Sequence, residues 1–184
     1  MKKVRIVLLE KNTEESVLFR NRSENFINVQ LADIVIYHPR VLEELSSFDA
    51  DVFAVNIDLP CNISFFISEM KKKISPSKIL MACDFVQPDL IFNCLRSGAS
   101  GYVEKYADKN KFEQTVLDCH ENLSMLPMSI LGIMYAKKIM QEADASVKMI
   151  FSLFSKGYLL NDVMVQTGLS EHEIKRSIFL SLPH

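Results

Sequence analysis

The sequence predicts a doubly wound α/β fold, a parallel sheet with helices on both faces, followed by a small all-α segment. Three observations carry that expectation. Short apolar runs rich in β-branched residues stop abruptly at polar ones, amphipathic stretches lie between them, and after about residue 122 the alternation gives way to purely helical signals.

The first run, Val4-Arg5-Ile6-Val7-Leu8-Leu9, is mostly apolar and ends at Glu10, as a strand buried on both faces should. Ile34–Tyr37, Val52–Val55 and Ile79–Met81 repeat the pattern, each followed within a few residues by Asn, Asp or Pro. Pro88-Asp89 opens a segment whose Leu90, Ile91, Cys94 and Leu95 form one helical stripe. Asp108 is placed to cap a further helix carrying Phe112, Val116, Leu117 and Cys119. Strands alternating with helices make βαβ units, and such sheets bind ligands at the carboxyl ends of their strands. Residues 123–143 break the alternation: Met125 to Tyr135 is apolar nearly all round, and Lys137-Lys138 follow. This predicts a helical linker packed against something else, such as a partner subunit.

Residues 144–184 read as helical throughout. Asp144 caps a helix that runs through Ile150, Phe151, Leu153 and Phe154 and stops at Gly157. Asn161–Gln166 is a second short helix, and Thr167-Gly168-Leu169 makes a tight turn. Ser170-Glu171-His172-Glu173 then opens a third helix with a capping box, in which the Ser170 hydroxyl takes the Glu173 amide and Glu173 reaches back. Helix, glycine turn, helix is how a helix-turn-helix is built.

Composition narrows the function classes. Of the 184 residues 48% are hydrophobic and 24% charged, which excludes a disordered chain. A net charge of -2 means that any nucleic-acid contact must come from a local patch. No apolar stretch is long enough to span a bilayer, and Met1 leads straight into a strand, so neither a membrane nor a secretory signal is expected. The four cysteines form no CxxC pair and suit reduced thiols in a cytoplasmic core. The four histidines have no metal-ligand spacing, there is no phosphate-cradling glycine loop, and no nucleophile–base arrangement can be argued. Neither a cofactor nor an enzymatic activity is expected.

Three segments carry a family resemblance. Asp51-Val52-Phe53-Ala54-Val55-Asn56-Ile57-Asp58-Leu59-Pro60 resembles the strand and loop of response-regulator receivers that ends in the phosphoacceptor. Gly98-Ala99-Ser100-Gly101-Tyr102-Val103-Glu104-Lys105 resembles their glycine–alanine–aromatic–lysine segment, and Val7–Lys11 sits where they place an acidic pair. The resemblance covers about residues 1–122 and implies a flavodoxin-like, five-stranded receiver fold. Receiver chemistry needs a carboxylate nucleophile and further carboxylates to hold Mg²⁺. Here the nucleophile position is Asn56, whose amide cannot form an acyl phosphate. The acidic pair is Glu10 and Lys11, and the usual small hydroxyl is Ala82, leaving Tyr102 and Lys105 in register. The expectation is a pseudo-receiver that is not phosphorylated conventionally. Asn56 is then a relic bonded to the Lys105 ammonium, with Glu10 paired to Lys11 or Lys105. Alternatively, Lys11 or Lys105 takes the metal's electrostatic place and locks one conformation. Asp58 lies two residues into the loop and is discounted as an acceptor. Tyr102 is expected to act as packing rather than as a moving gatekeeper.

The stretch from Lys156 to Ser177, with Gly157, Gly168, Leu169, Ser170, Glu171, Ile174 and Lys175, resembles the LuxR-type DNA-binding domain. A receiver of the NarL/FixJ type is that domain's usual companion. The resemblance implies a helix-turn-helix domain over 144–184 lacking the family's last, dimerising helix. It also implies promoter binding through Lys175 and Arg176, with Ser170, His172 and Ser177 in support. From Asp144 onward, however, four basic residues (148, 156, 175, 176) meet four acidic ones (144, 162, 171, 173), unlike a duplex binder. The leading expectation is a phosphorylation-independent transcriptional regulator, dimeric with itself or with another regulator. The alternative is an interaction protein that acts by binding another regulator without reading DNA.

Overall fold

The computed structural model describes residues 2–85, 87–124, 126, 130–132 and 144–181. Five parallel strands, β1 (Val4–Glu10), β2 (Val29–Ile36), β3 (Val52–Asn56), β4 (Lys78–Cys83) and β5 (Gly101–Glu104), form one sheet in the order β2-β1-β3-β4-β5. The connecting helices are α1 (Thr13–Ser23), α2 (Val41–Glu44), α3 (Ile63–Ile74), α4 (Pro88–Arg96) and α5 (Lys109–His120). This is the doubly wound architecture expected, and the order reverses between β1 and β3. Glu10 and Asn56 end these two strands, so the crevice opens beside them.

Side chains leave the sheet alternately, and each face finds its own cover. Ile6, Leu8, Ala54, Leu80 and Val103 pack with Phe19 of α1 and with Phe112, Val116 and Cys119 of α5. Val7, Leu9, Phe53, Val55 and Met81 pack with the stripes of α3 and α4. Helix α1 has no apolar stripe to announce it, because only Phe19 on it is buried. Local signals hold it instead: Asn12 accepts from the Glu15 amide, Glu14 and Glu15 occupy the first turn, and Arg20 and Arg22 the last. Phe19, Phe26 and Phe112 close around one another, with centroids 5.3 to 6.2 Å apart. The α1–β2 loop is tied down by Glu113, whose Oε1 accepts the N–H groups of Ile27, Asn28 and Val29 at 2.7, 2.7 and 3.1 Å.

Strand β2 begins at Val29, five residues before the expected start at Ile34. It is an edge strand whose register against β1 slips between Ile6 and Val7, bringing Leu31 and then Asp33 opposite. That slip and the polar Asp33 break the alternation that would have betrayed it.

Three further helices complete the described chain: α6 (Ala145–Ser155), α7 (Leu160–Thr167) and α8 (Glu171–Leu180). Asp144 accepts from the Val147 amide at 2.9 Å. Gly168 closes α7 in the left-handed region at φ 70°, and Ser170 and Glu173 form the capping box on α8. Val147, Ile150, Phe151, Phe154, Val163, Ile174, Ile178 and Phe179 are buried, and they belong to the same continuous apolar cluster as the α3–α4 face of the sheet. Most of the linker expected over 123–143 lies outside the described residues. Leu126, Ile130 and Leu131 are described, and all three are buried in that shared cluster. Among the described residues no helix is long and apolar enough to cross a membrane.

Candidate functional site

At the carboxyl ends of the strands, Glu10, Asn56 and Lys105 are each at most 1% exposed. Burying an ammonium that deeply requires compensation. Lys105 Nζ lies 3.1 Å from Glu10 Oε2 and 3.4 Å from Asp84 Oδ1, and it also pairs with Glu15. Burial works against the charge on Lys105, but Glu15, Glu10 and Asp84 outweigh it and hold its pKa above the usual lysine value. For Glu15, burial is likewise outweighed by bonds from Lys105 and Lys11, which hold the carboxyl below its usual range. Lys11 sits 2.9 Å from the second Glu15 oxygen, and that bond raises its own pKa.

Asn56 is not bonded to Lys105 as expected. Its amide nitrogen donates to Glu10 Oε1, and its carbonyl oxygen accepts the Asp58 N–H at 2.8 Å. The reason is the competing carboxylates: Lys105 is already committed to three of them. Of the two pairings considered for Glu10, the structure has Lys105, while the Lys11 ammonium turns to Glu15. Ala82 lies buried on β4 opposite Asn56 and offers no hydroxyl. The loop after β5 is clamped by Arg22, whose guanidinium donates to the Lys105 and Ala107 carbonyls and lies 5.4 Å over the Phe112 ring.

The pocket thus gathers Glu10, Glu15, Asp58 and Asp84 with Lys11 and Lys105. Lys105 engages Glu10, Glu15 and Asp84 together, and among the described residues no set of three or more His, Cys, Asp or Glu side chains is arranged to hold a metal. The donors present do not fit the Mg²⁺ of receiver chemistry. Glu15 and Asp84 are not among the residues the motifs point to. Glu15 carries a signal, four residues after Lys11 at the start of a helix, whereas Asp84 carries none.

Tyr102 packs partly buried against the main apolar cluster, and burial pushes its hydroxyl up to about 12. It borders an open cleft of about 410 Å³ between β5–α5 and the C-terminal helices, lined also by Gln114, Asp118, Leu160, Glu171 and Lys175. Here α8 docks. Lys175, expected to reach outward with Arg176, is turned inward instead, with only 12% of its side chain exposed. It pairs with Asp118 of α5 at 2.5 Å and with Glu171 at 3.0 Å. Its carbonyl accepts the Ser124 N–H at 3.1 Å. Lys78 Nζ lies 5.7 Å from the Phe179 ring centre. Arg176, His172 and Ser170 are exposed, and Ser177 is half-buried. The expected site residues therefore fall into two separate groups: Glu10, Lys11, Asn56 and Lys105 meet in the strand-end pocket, while the α8 residues lie beyond β5.

No protein-family model matches the chain, and no curated protein sequence does. Solved structures do resemble it. The signal receiver domain of NarL from Mycobacterium tuberculosis aligns over 66% of this chain and 98% of its own, at 18% identity and a TM-score of 0.57. RcsB from Salmonella typhimurium, a response regulator, aligns over 100% of this chain and 95% of its own, at 14% identity and a TM-score of 0.60. RcsB bound to a promoter in the presence of phosphomimetic BeF3- aligns over 100% and 94%, at 13% identity and a TM-score of 0.60. At such identities the likeness is one of fold: the chain has the flavodoxin-like receiver architecture followed by a helical C-terminal part.

Proposed function

We propose that the protein is a phosphorylation-independent transcriptional regulator: a pseudo-receiver over 1–122, a linker over 123–143 and a DNA-binding helix-turn-helix over 144–184. The observation that carries this reading is the pairing of α7, the left-handed Gly168 and the capped α8 with a receiver fold. The names of the similar structures, response regulators and one bound to a promoter, support it. Loss of phosphorylation rests on Asn56 and on Lys105, which occupies three carboxylates. With no acyl phosphate to form, the pocket holds one state permanently.

In this reading Arg176 is the principal DNA contact, helped by His172, both exposed on α8, and by the exposed Ser170 at its N-cap. Lys175 and Ser177, expected among the readers, face inward or half inward, and Lys175 anchors α8 to α5 instead. Dimerisation, with itself or another regulator, would use a surface other than the α5 side where α8 docks.

A second reading, an interaction protein acting on another regulator, is favoured by one observation. With Lys175 withdrawn, the exposed charges of the C-terminal helices are Lys148, Lys156 and Arg176 against Asp144, Asp162, Glu171 and Glu173.

Salt-titrated binding to random duplex DNA and to the protein's own upstream region separates the two. A regulator binds with a steep salt dependence that Arg176→Ala weakens, and neither acetyl phosphate nor BeF3- changes its affinity. A folded protein that binds no duplex at low salt would leave only the interaction reading.

A further inference from the structure

The docked C-terminal helices share one apolar cluster with the receiver part, so DNA meets them as a single body. Their exposed surface carries more acid than base. Phosphate neutralisation supplies a large share of the affinity for duplex DNA, so in the DNA-binding reading positive charge is needed elsewhere on that body.

A group of lysines reaches the C-terminal turn of α8 through Lys78. Lys71, Lys72 and Lys73 fill the last turn of α3, and Lys78 opens β4 a few residues later. Lys78 reaches the Phe179 ring of α8 and donates to the Asn122 side-chain oxygen at 2.6 Å. Lys71 is held in place by packing: a Cβ at Gly98 would come within 3.2 Å of its Cγ. Its ammonium is pushed below the usual lysine value by burial and then by the neighbouring Lys78 charge. Four carboxylates lie close by, and among the described residues none pairs with Lys71 or Lys78. Glu69 pairs with Lys72 at 2.5 Å, exposed Glu121 sits next to Asn122, and Asp49 and Asp51 are occupied by Arg5. The negative end of the α3 dipole accounts for lysines in its last turn. It does not account for Lys71 and Lys78 being brought together with no carboxylate of the described residues paired to either.

We infer that Lys71, Lys72, Lys73 and Lys78 are a phosphate-contacting extension of the DNA surface, so that the receiver part and α8 grip the duplex together. The inference rests on the DNA-binding reading. In it, the Asp118–Lys175 pair does not hide the reader: it holds α8 in register with the lysine cluster.

The test is salt-titrated binding of the full chain to a random duplex, comparing wild type, Arg176→Ala, Lys78→Gln and the triple variant Lys71→Gln/Lys72→Gln/Lys73→Gln. None of these lysines is fully buried, so the triple variant should keep its circular dichroism spectrum and melting temperature. It is expected to bind at least tenfold more weakly at low salt. The slope of log K against log salt should flatten by about 0.9 for each phosphate no longer neutralised, roughly 2 to 3 in all. Arg176→Ala and Lys78→Gln should each flatten it by about 1. If the triple variant keeps the wild-type slope while Arg176→Ala weakens binding, the lysine surface is overturned and the DNA-binding reading stands. If wild type binds no duplex at low salt, both fall.

Discussion

Lys105 and Lys175 are both surrounded by carboxylates, yet the regions that hold them differ in kind. Lys105 lies at the end of β5 among Glu10, Glu15 and Asp84, and Arg22 fixes its backbone from α1. Glu10 ends β1, Glu15 lies in the first turn of α1 and Asp84 follows directly on β4, so the groups around it all come from the receiver part itself. Lys175 instead joins two helices distant in sequence, Asp118 on α5 and Glu171 on its own helix, and the cleft beside it is open. The same ion-pair chemistry therefore ties strand ends and α1 together in one place and joins α8 to α5 in the other. The difference lies in what the partners are attached to, not in how strongly the charges attract.

The largest effect expected is from Lys105→Ala. It removes the ammonium shared by Glu10, Glu15 and Asp84 at a site where the Lys105 side chain is 2% exposed and Glu10 is buried, and losing one partner of a buried pair costs about 3–5 kcal/mol. Urea unfolding monitored by circular dichroism checks it; a loss under about 1 kcal/mol would mean the pocket is held no more firmly than an exposed ion pair would hold it. Next is Glu113→Ala, which leaves three backbone N–H groups without their acceptor and should cost roughly 1–3 kcal/mol by the same measurement. Asp118→Asn comes third. It should leave the fold intact but weaken duplex binding several-fold by loosening α8 from the lysine cluster. Tighter binding instead would show that the joint conceals Lys175 from DNA.

The smallest effect is on pH. Glu15 is held below its ordinary 4.5, so its contribution is present above that value and disappears as pH falls through the lowered one. Lys105 is held above its ordinary 10.5, so its contribution is present below that value and disappears only at higher pH. Neither group changes the wild-type melting temperature between these limits; burial raises the Cys83, Cys94 and Cys119 thiols from 9.0, so the alkaline fall begins there in wild type and variant alike, and Lys105→Ala should blunt only its upper part.

The fold was legible because the buried strands β1, β3 and β4 advertise themselves by continuous apolar runs, and because Asp108, Asp144 and Ser170 cap where caps belong. Helix α1 was illegible because its stability comes from caps, charges and a single buried phenylalanine rather than from a stripe. The pocket was half legible. Asn56, Glu10, Lys11 and Lys105 follow from motif positions, but the choice of partner for each depends on side-chain reach. Competition decided it, with Glu15 drawing both lysines and Glu10 taking the Asn56 amide. Lys175 was the least legible, because a lysine in the middle of an amphipathic helix looks the same whether it faces a groove or Asp118.

The apolar cluster that runs from α3 and α4 through Leu126, Ile130 and Leu131 into α6–α8 bears on how the chain can be divided. A fragment cut between the sheet and the last three helices would present raw hydrocarbon on both stumps, and each would be prone to clump rather than to fold. The molecule should accordingly melt in a single step, and insertions should be better borne at the turn around Gly157 than anywhere along that seam.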